Sequence, residues 1–152
     1  MTLNVGLQRA NRFDVDRLVG LMEAYYEHEG LTFHASRAHA AMFRLLSDEA
    51  LGSAWLISAD GLIVGYLVLT FGYSLEYGGR YATVDEFFLY EPYRGRGIGT
   101  ETLEIVEEYC RSSDLHAIEL ESMRGNWKAK DFYERLGYSD QGRYLLVKRL
   151  ES

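Results

Sequence analysis

Residues 84–100 read Val-Asp-Glu-Phe-Phe-Leu-Tyr-Glu-Pro-Tyr-Arg-Gly-Arg-Gly-Ile-Gly-Thr, and this stretch decides the fold. Its first half belongs to an apolar segment, 81–90, that predicts a central strand covered on both faces. Its second half is a glycine-rich turn before an amphipathic helix. Such a turn can aim backbone N–H groups and the positive end of a helix dipole at an anion. We therefore predict a diphosphate-binding turn, to which Arg94 and Arg96 add positive charge. Its glycines are Gly95, Gly97 and Gly99.

Other phosphate-binding motifs fit this turn less well. A P-loop needs a lysine directly before the closing Ser or Thr, and the residue before Thr100 is a glycine. A dinucleotide-binding fingerprint belongs in the first strand–helix–strand unit of a chain. Here the turn lies well past the middle, although Glu119 or Glu121 could serve as its acidic residue. A glycine-rich connection with solvated arginines is the plain structural alternative.

Helix and strand patterns extend from this turn in both directions. Apolar residues at helical spacing predict helices near 15–26, 36–46, 99–110 and 129–136. Apolar runs bounded by turn residues predict further strands at 3–7, 54–58, 62–70, 116–120 and 144–147. This order predicts an α/β chain in which helices cover both faces of a mixed sheet.

Local signals also predict how these elements begin, end and face. Asp14 and Ser36 are expected as helix N-caps, Asp60-Gly61 as part of a hairpin turn, and Gly137 as the residue after the fourth helix. Simple alternation divides the central strand into two faces. These faces are Ala82/Val84/Glu86/Phe88 and Thr83/Asp85/Phe87/Leu89.

Length and composition limit the class of protein. The chain has 152 residues, of which 47% are hydrophobic and 26% charged, and this is ordinary for a single domain over residues 1–152. A net charge of -7 argues against nucleic-acid and anionic-membrane partners. No apolar run reaches the roughly 18–20 residues of a membrane span. One cysteine, Cys110, fits a reducing compartment, so we expect a cytoplasmic protein.

Two motifs resemble the signatures of the GNAT superfamily of N-acetyltransferases. The first is Arg94-x-x-Gly-x-Gly after a strand that ends Phe-Leu-Tyr-Glu-Pro. The second is Asn126-x-x-Ala-x-x-Phe-Tyr, followed by Gly-Tyr. Both lie in the family's order on the matching elements. The resemblance implies a mixed, mostly antiparallel central sheet that is splayed in the middle and has helices on both faces.

The same resemblance implies acetyl-CoA as co-substrate, with no metal. In that family the diphosphate lies on the glycine turn, the pantetheine arm pairs with the preceding strand, and a second group of contacts comes from the start of the fourth helix. The cofactor-binding residues expected on this basis are Phe87, Phe88, Leu89, Arg94, Gly95, Arg96, Gly97, Ile98, Gly99, Thr100, Asn126 and Ala129.

Acyl transfer to an amine requires groups that move protons. An alkylammonium has a pKa of about 10, so its proton must be removed before attack. Asp85 and Glu86 are adjacent carboxylates in an otherwise apolar strand, where burial would raise the pKa towards a value useful in a base. Strand alternation predicts that only one addresses the acceptor, and the sequence leaves open which one. Pairing of either carboxylate with a cation inside the fold is the alternative. The resemblance assigns Tyr133 as the general acid that protonates the coenzyme A thiolate.

A narrower resemblance, to spermidine/spermine and thialysine acetyltransferases, bears on the acceptor. It rests on the acidic pair before two phenylalanines, on Tyr26-Glu27 near the end of the first helix, and on the second motif. In that branch the residues matching Asp85, Tyr26 and Glu27 contact the amine. This implies a small cationic acceptor, such as a polyamine, a diamine or an amino-acid-like amine. The chain departs from the branch in its Asp-Glu order and its shorter C-terminal segment, and these departures bear on polyamine specificity.

Other activities remain open from the sequence alone. One is acetylation of a protein N-terminus or lysine, and another is a non-catalytic acyl-CoA-binding module. For the enzyme, the expected mechanism is direct attack of the amine in a ternary complex. The branch resemblance also implies a homodimer.

Overall fold

A computed structural model describes residues 3–151, and their order of elements is α/β with a five-stranded sheet. The strands are β1 (Val5–Arg9), β2 (Gly52–Ala59), β3 (Leu62–Ser74), β4 (Gly79–Leu89) and β5 (Ile118–Leu120). The α-helices are α1 (Val15–Glu29), α2 (Ala35–Ser47), α3 (Ile98–Ser112) and α4 (Trp127–Arg135). Short 3₁₀ turns occupy Arg12–Asp14 and Glu91–Tyr93. The chain divides into two compact units, the first ending at Glu121 and the second beginning at Ser122.

The sheet has the order β1-β2-β3-β4-β5, and only the β4–β5 pair is parallel. The mixed, mostly antiparallel sheet expected from the sequence is therefore confirmed. Asp60 and Gly61 join β2 to β3 with φ angles of 49° and 84°. Two positive φ angles are what a two-residue hairpin turn needs to match the twist of its strands, so the predicted hairpin is confirmed.

Helices cover both faces of the sheet, as predicted. On one face, residues of α1 and α2 such as Leu18 and Met42 form a buried core with Tyr66, Val68 and Phe88. On the opposite face, α3 lies against β2. The rings of Trp55 and Tyr109 meet there edge to face, with their centroids 5.0 Å apart. This arrangement buries the middle of β3, residues 64–69, between two helical layers.

The sheet opens along one edge of β4. β5 pairs with β4 only at Ala82, Val84 and the residue between them. Beyond Val84, the edge of β4 that faces away from β3 has no strand beside it in the described part of the chain. The predicted splay is therefore confirmed, and it leaves the backbone of 85–89 open on one side.

Because of a β-bulge, the side chains of β4 are distributed over the two faces of the sheet differently from the prediction. Val68 of β3 lies opposite Glu86, but the next β3 residue, Leu69, lies opposite Val84, so Asp85 is an extra residue in the strand. Cross-strand partners share a face of the sheet. Val84 therefore shares a face with Phe87, and Glu86 lies on the α1/α2 face. Simple alternation failed because an inserted residue shifts the phase of every side chain beyond it.

Asp14 is confirmed as the N-cap residue of α1, although its side chain makes no capping hydrogen bond to that helix, whereas the predicted cap at Ser36 was wrong. Asn11 Oδ1 accepts from the backbone amide of Phe13, and the Asp14 carboxylate accepts from the backbone amide of Asn11. This reciprocal capping box closes the 3₁₀ turn before α1, and it engages the Asp14 carboxylate with that turn rather than with the first amides of α1. α2 begins at Ala35 with His34 as its N-cap, which puts Ser36 inside the first turn.

The predicted last strand at 144–147 is absent. Residues 136–151 contain no helix or strand, and the side chains of 144–147 are exposed. A strand needs a hydrogen-bonded neighbour as well as an apolar pattern, and the described residues pair none with this segment. The other strands are confirmed with shifted ends, and α4 ends as predicted before Gly137, whose φ is 98°.

Candidate active site

Glu86 lies at the centre of a hydrogen-bonded group on the α1/α2 face of β4. The hydroxyl of Tyr26, on α1, donates to Glu86 Oε2 at 2.5 Å. The hydroxyl of Tyr66, on β3, donates to Glu86 Oε1 at 2.8 Å. Each carboxylate oxygen is therefore held by a phenol from a different element. Short O–H···O⁻ bonds of this kind are among the stronger hydrogen bonds in proteins.

Aromatic rings surround this carboxylate. The ring of Tyr25 packs edge to face against those of Tyr26 and Tyr66 and lies 5.9 Å from that of Phe88. Phe33 packs on Tyr26 at 5.4 Å. These rings meet because α1 lies across β3 and β4 as part of the same core. The result is an anion set in an aromatic wall, a setting that suits a cationic ligand.

The charge state of Glu86 reflects opposing influences. Burial raises the pKa of its carboxyl above the ordinary value, and the nearby charge of Asp85 raises it further. The hydrogen bonds from Tyr26 and Tyr66 act in the opposite direction, because they stabilise the ionised form. Burial also raises the pKa of both phenols, so Tyr26 and Tyr66 remain donors throughout the neutral range.

Asp85 is more exposed than Glu86 and has a different hydrogen-bonding environment. It is the extra residue of the bulge, and its side chain is open to solvent. Among the residues that the structure describes, none pairs with its carboxylate through a hydrogen bond or an ion pair, so the predicted alternative of an internal cation does not apply. Enough of the protein surrounds the group for desolvation to raise the pKa of Asp85. Its charge acts on both Glu86 and the Tyr26 hydroxyl, which indicates that the two acids share one region.

The three residues predicted to line the pantetheine arm, Phe87, Phe88 and Leu89, differ in whether their backbone groups point to the open edge of β4. The amide of Tyr90 donates to Val64 O, towards β3, at 2.9 Å. Since backbone groups of successive strand residues point to alternate edges, Phe88 also directs its N–H and C=O to β3. Phe87 and Leu89 direct theirs to the open edge, where an extended chain could pair with them.

The glycine turn has the geometry expected of an anion site. Gly95 and Gly97 have φ angles of 69° and 85°, a region that favours glycine, and Gly97 is the N-cap of α3. Within residues 3–151, the backbone amides of 97–100, which are the first donors of α3, have no hydrogen-bond acceptor. A Cβ added at Gly95 or Gly97 would meet no atom within 4 Å, so the space beside the turn is open.

The two arginines of the turn are turned back onto the protein. Arg94 Nε donates to Leu89 O at 2.8 Å, its guanidinium lies over the ring of Phe88, and Nη1 is 3.1 Å from His28 Nε2. Arg96 contacts Pro92 O at 3.4 Å and remains close to solvent. Arg94 therefore links the open edge of β4 to the end of α1, while Arg96, whose guanidinium lies over the ring of Tyr93, is the more exposed of the two.

The second motif lies in the second unit and has a structural meaning of its own. Asn126 is the N-cap of α4, where its Oδ1 accepts from the amide of Ala129 at 3.1 Å. Tyr133 lies two turns further along the helix, and its ring packs on Phe132 and Tyr138. The spacing Asn-x-x-Ala is thus a helix cap. The roles of Asn126, Ala129 and Tyr133 towards ligands stay predictions.

Sequence reasoning found Tyr26 and Asp85–Glu86 but missed Tyr66. The structure places Glu27 next to Tyr26 on α1, exposed, while Tyr66 is fully buried at 0% exposure. A tyrosine inside an apolar strand could have signalled this, because a buried phenol needs a hydrogen-bond partner. Nothing in the local pattern identifies that partner as Glu86.

Other reactive groups lie outside this arrangement. Burial raises the pKa of the Cys110 thiol to about 11, so the thiol stays protonated at neutral pH. Residues 3–151 contain no group of three or more His, Cys, Asp or Glu side chains that could hold a metal ion. Over the same residues, no helix is both long and apolar enough to cross a membrane.

Comparison with known proteins assigns the family. The model of the acetyltransferase (GNAT) family matches residues 17–138, and the chain therefore belongs to this family. An uncharacterized N-acetyltransferase of Archaeoglobus fulgidus is 26% identical over 84% of this chain and 88% of its own length. The thialysine N-epsilon-acetyltransferase of Mus musculus is 32% identical over 55% of this chain and 48% of its own.

Solved structures agree with this assignment. The integron cassette protein HFX_CASS3, from a salt-marsh metagenome, superposes with a TM-score of 0.85 at 35% identity, covering 96% of this chain and 91% of that one. A predicted acetyltransferase of Clostridium acetobutylicum, solved with acetyl-CoA, superposes at 0.80 with 17% identity, covering 95% and 96%, which is a likeness of fold. The protein is an acetyl-CoA-dependent N-acetyltransferase, and acetyl-CoA is its co-substrate.

Proposed function

We propose that the protein transfers the acetyl group of acetyl-CoA to the primary amine of a small cationic molecule. The proposed acceptors are polyamines, diamines and amino-acid-like amines. One observation carries this proposal: two adjacent carboxyls, those of Asp85 and Glu86, lie where the edge of β4 is open, and aromatic rings surround the Glu86 carboxylate. An ammonium group is attracted both to carboxylates and to the faces of aromatic rings.

The two acids have different proposed roles, in which Glu86 binds the ammonium group and Asp85 removes its proton. Glu86 has both oxygens occupied by phenols and supplies a fixed negative charge for the ammonium. Asp85 has a raised pKa and an accessible carboxylate, which suit a group that takes the amine proton. Tyr26 and Glu27 on α1 are proposed to complete the acceptor site. The similarity to a thialysine acetyltransferase supports this assignment over about half of each chain.

The co-substrate is proposed to lie along the glycine turn and β4. The amides of 97–100 and the side chain of Arg96 would hold its diphosphate. The backbone groups of Phe87 and Leu89 would pair with the pantetheine arm. This seating brings the thioester to the end of β4 that carries Asp85 and Glu86.

The proposed reaction is a direct transfer in a ternary complex. The amine nitrogen attacks the thioester carbonyl carbon, a C–N bond forms, and the C–S bond breaks. Asp85 takes the ammonium proton before attack and passes it to solvent. Tyr133 gives a proton to the departing thiolate, and the proton that the nitrogen loses as the amide forms replaces it through solvent. No covalent enzyme intermediate is needed. A cytoplasmic location and a homodimer belong to the same proposal, and light scattering on the purified protein tests the second.

A thiol-release assay with acetyl-CoA tests the acceptor class. The panel contains spermidine, putrescine, lysine analogues, an aminoglycoside, and peptides with free N-termini or internal lysines. We expect release with small diamines or amino-acid-like amines at least tenfold faster than with peptides, because the acids are flanked by rings that suit a compact cation. Faster turnover of peptides than of every small amine would overturn the proposal in favour of protein acetylation.

A further inference from the structure

Tyr66 is the one member of the Glu86 group that cannot reach solvent. Its side chain is 0% exposed on β3, beneath the acceptor region, and it lies opposite Phe88 in the sheet register. Its hydroxyl donates to Glu86 Oε1 at 2.8 Å. Over the described residues, its hydroxyl has no other hydrogen-bond partner. Tyr26, which holds the other oxygen, is half-buried on α1.

This burial makes the two hydroxyls unequal. If Glu86 took up a proton at Oε2, the half-buried Tyr26 hydroxyl could turn to water or accept the new O–H. If Glu86 took it up at Oε1, the Tyr66 hydroxyl would lose its acceptor inside the core. A buried donor left without an acceptor is costly. Tyr66 therefore opposes protonation at Oε1 and restricts any proton to Oε2, and only the ionised carboxylate keeps both charge-assisted hydrogen bonds.

The position of Tyr66 also restricts where the carboxylate can lie. β3 and β4 are joined by regular pairing on the Glu86 side of the bulge, where Tyr66, Leu67 and Val68 lie opposite Phe88, Phe87 and Glu86. The ring of Tyr66 is held against Tyr25 and Phe88. A hydroxyl on a fixed ring in a rigid strand pair defines the rotamer of the carboxylate that it contacts.

We propose that Tyr66 is a positioning residue for acetyl transfer, which holds the Glu86 carboxylate in one orientation for the ammonium group and leaves Asp85 to take the amine proton. This inference rests on the proposed function, in which Glu86 binds the ammonium group. It adds a residue that does not touch substrate and acts only through Glu86.

Other charged and titratable groups near Glu86 must be separated from this effect. Tyr25 and Tyr26 face it from α1, Tyr66 from β3, and Asp85 from β4. His28 and Arg94 lie beyond Phe88 and contact each other. The two groups shown to donate to the Glu86 carboxylate are the hydroxyls of Tyr26 and Tyr66.

The test combines Tyr66→Phe with a direct titration of Glu86. Carboxyl carbons of ¹³C-labelled enzyme are followed by NMR from pH 3 to 9, and Glu86→Gln identifies the signal. We expect the Glu86 titration to move to higher pH in Tyr66→Phe, because one bond that stabilises the anion is lost. With the preferred amine, the acid limb of kcat/KM should move the same way, and KM at pH 7 should rise about tenfold.

Two further variants separate positioning from stability. Tyr26→Phe should move the titration in the same direction, and it remains available should Tyr66→Phe not fold. Tyr109→Phe removes a phenol packed on Trp55, on the other face of the sheet, and should leave the Glu86 titration unchanged. A merely structural role for Tyr66 would lower Tm and active enzyme equally at every pH.

The outcomes are distinct. An unchanged Glu86 titration in Tyr66→Phe would refute the inference, and so would a shifted titration with an unchanged acid limb. Failure of the wild type to acetylate any small amine would refute the proposed function instead. In that case the NMR titration would still decide whether Tyr66 keeps Glu86 ionised.

Discussion

The glycine turn at 94–100 and the acid pair at 85–86 lie close in sequence, but backbone groups form the first and side chains form the second. The turn is made of backbone: positive φ angles at two glycines and the free amides at the start of α3. The acid pair is made of side chains, and Glu86 is held by tyrosines 60 and 20 residues away. A site made of backbone groups can therefore be predicted from a short sequence motif, whereas a site made of side chains depends on residues that are distant in sequence.

The two carboxylates extend this contrast. Glu86 is embedded and hydrogen-bonded, and Asp85 is accessible and without a described partner. One inserted residue in β4 produces both environments. Bulges are known to re-aim side chains at functional sites, and here the bulge gives two chemically similar neighbours different surroundings.

The sharpest test of this division compares Asp85→Asn with Glu86→Gln. We expect Asp85→Asn to lower kcat by about 10²–10⁴-fold, the range for loss of a general base. Glu86→Gln should act mainly on KM for the amine, raising it about tenfold. Steady-state kinetics with one amine separates these effects. If Glu86→Gln lost more kcat than Asp85→Asn, the assignment of the base would be reversed.

Tyr133→Phe tests the proposed general acid. At neutral pH we expect kcat to fall about 10–100-fold with unchanged acetyl-CoA affinity, because the departing thiolate loses its proton donor. The deficit should be largest at low pH and shrink as the pH rises, because a deprotonated Tyr133 is no longer a donor in the wild type either. Tyr144→Phe, which alters an exposed tyrosine of the same unit, is the control. Equal kcat for Tyr133→Phe and wild type across pH would remove Tyr133 from the mechanism.

Gly97→Ala tests the backbone site. Its Cβ would meet no protein atom, so only the positive φ opposes it, at about 1 kcal/mol of stability. The methyl group would project beside the amides that receive the diphosphate, and we expect the Kd of acetyl-CoA to rise at least tenfold by calorimetry.

Gly61→Ala is a matched control for that variant, since its φ is 84° and it too has open space around it. It should lose a similar amount of stability and keep its acetyl-CoA affinity. Equal affinity in the two variants would mean that the turn does not bind the diphosphate.

The smallest expected effect is on stability. A carboxyl whose pKa is raised in the folded protein destabilises it when ionised, and that cost disappears as pH falls through the raised pKa. Asp85→Asn should therefore be more stable than the wild type at pH 7, by up to about 1 kcal/mol because water screens the exposed charge. The difference should vanish in acid. Thermal melts from pH 3 to 8 check this, and a constant difference would contradict it.

Much of the fold could be predicted because its signals are local. The hairpin at Asp60-Gly61, the helices, and the end of α4 at Gly137 follow from periodicity and φ preference. The cap predicted at Ser36 shows the limit of such signals, since the N-cap of α2 is His34, two residues earlier. The strand expected at 144–147 failed for another reason, because pairing involves a neighbour that a pattern does not contain.

The amino-acid sequence by itself determined the glycine turn, the order of helices and strands, and the presence of two adjacent acids. These depend on conformational preferences that act over a few residues. Only the tertiary structure decided that Asp85 is the extra residue of a bulge, and that Tyr26 and Tyr66 converge on Glu86. Strand register and helix packing bring those side chains together, and both are properties of the whole folded core.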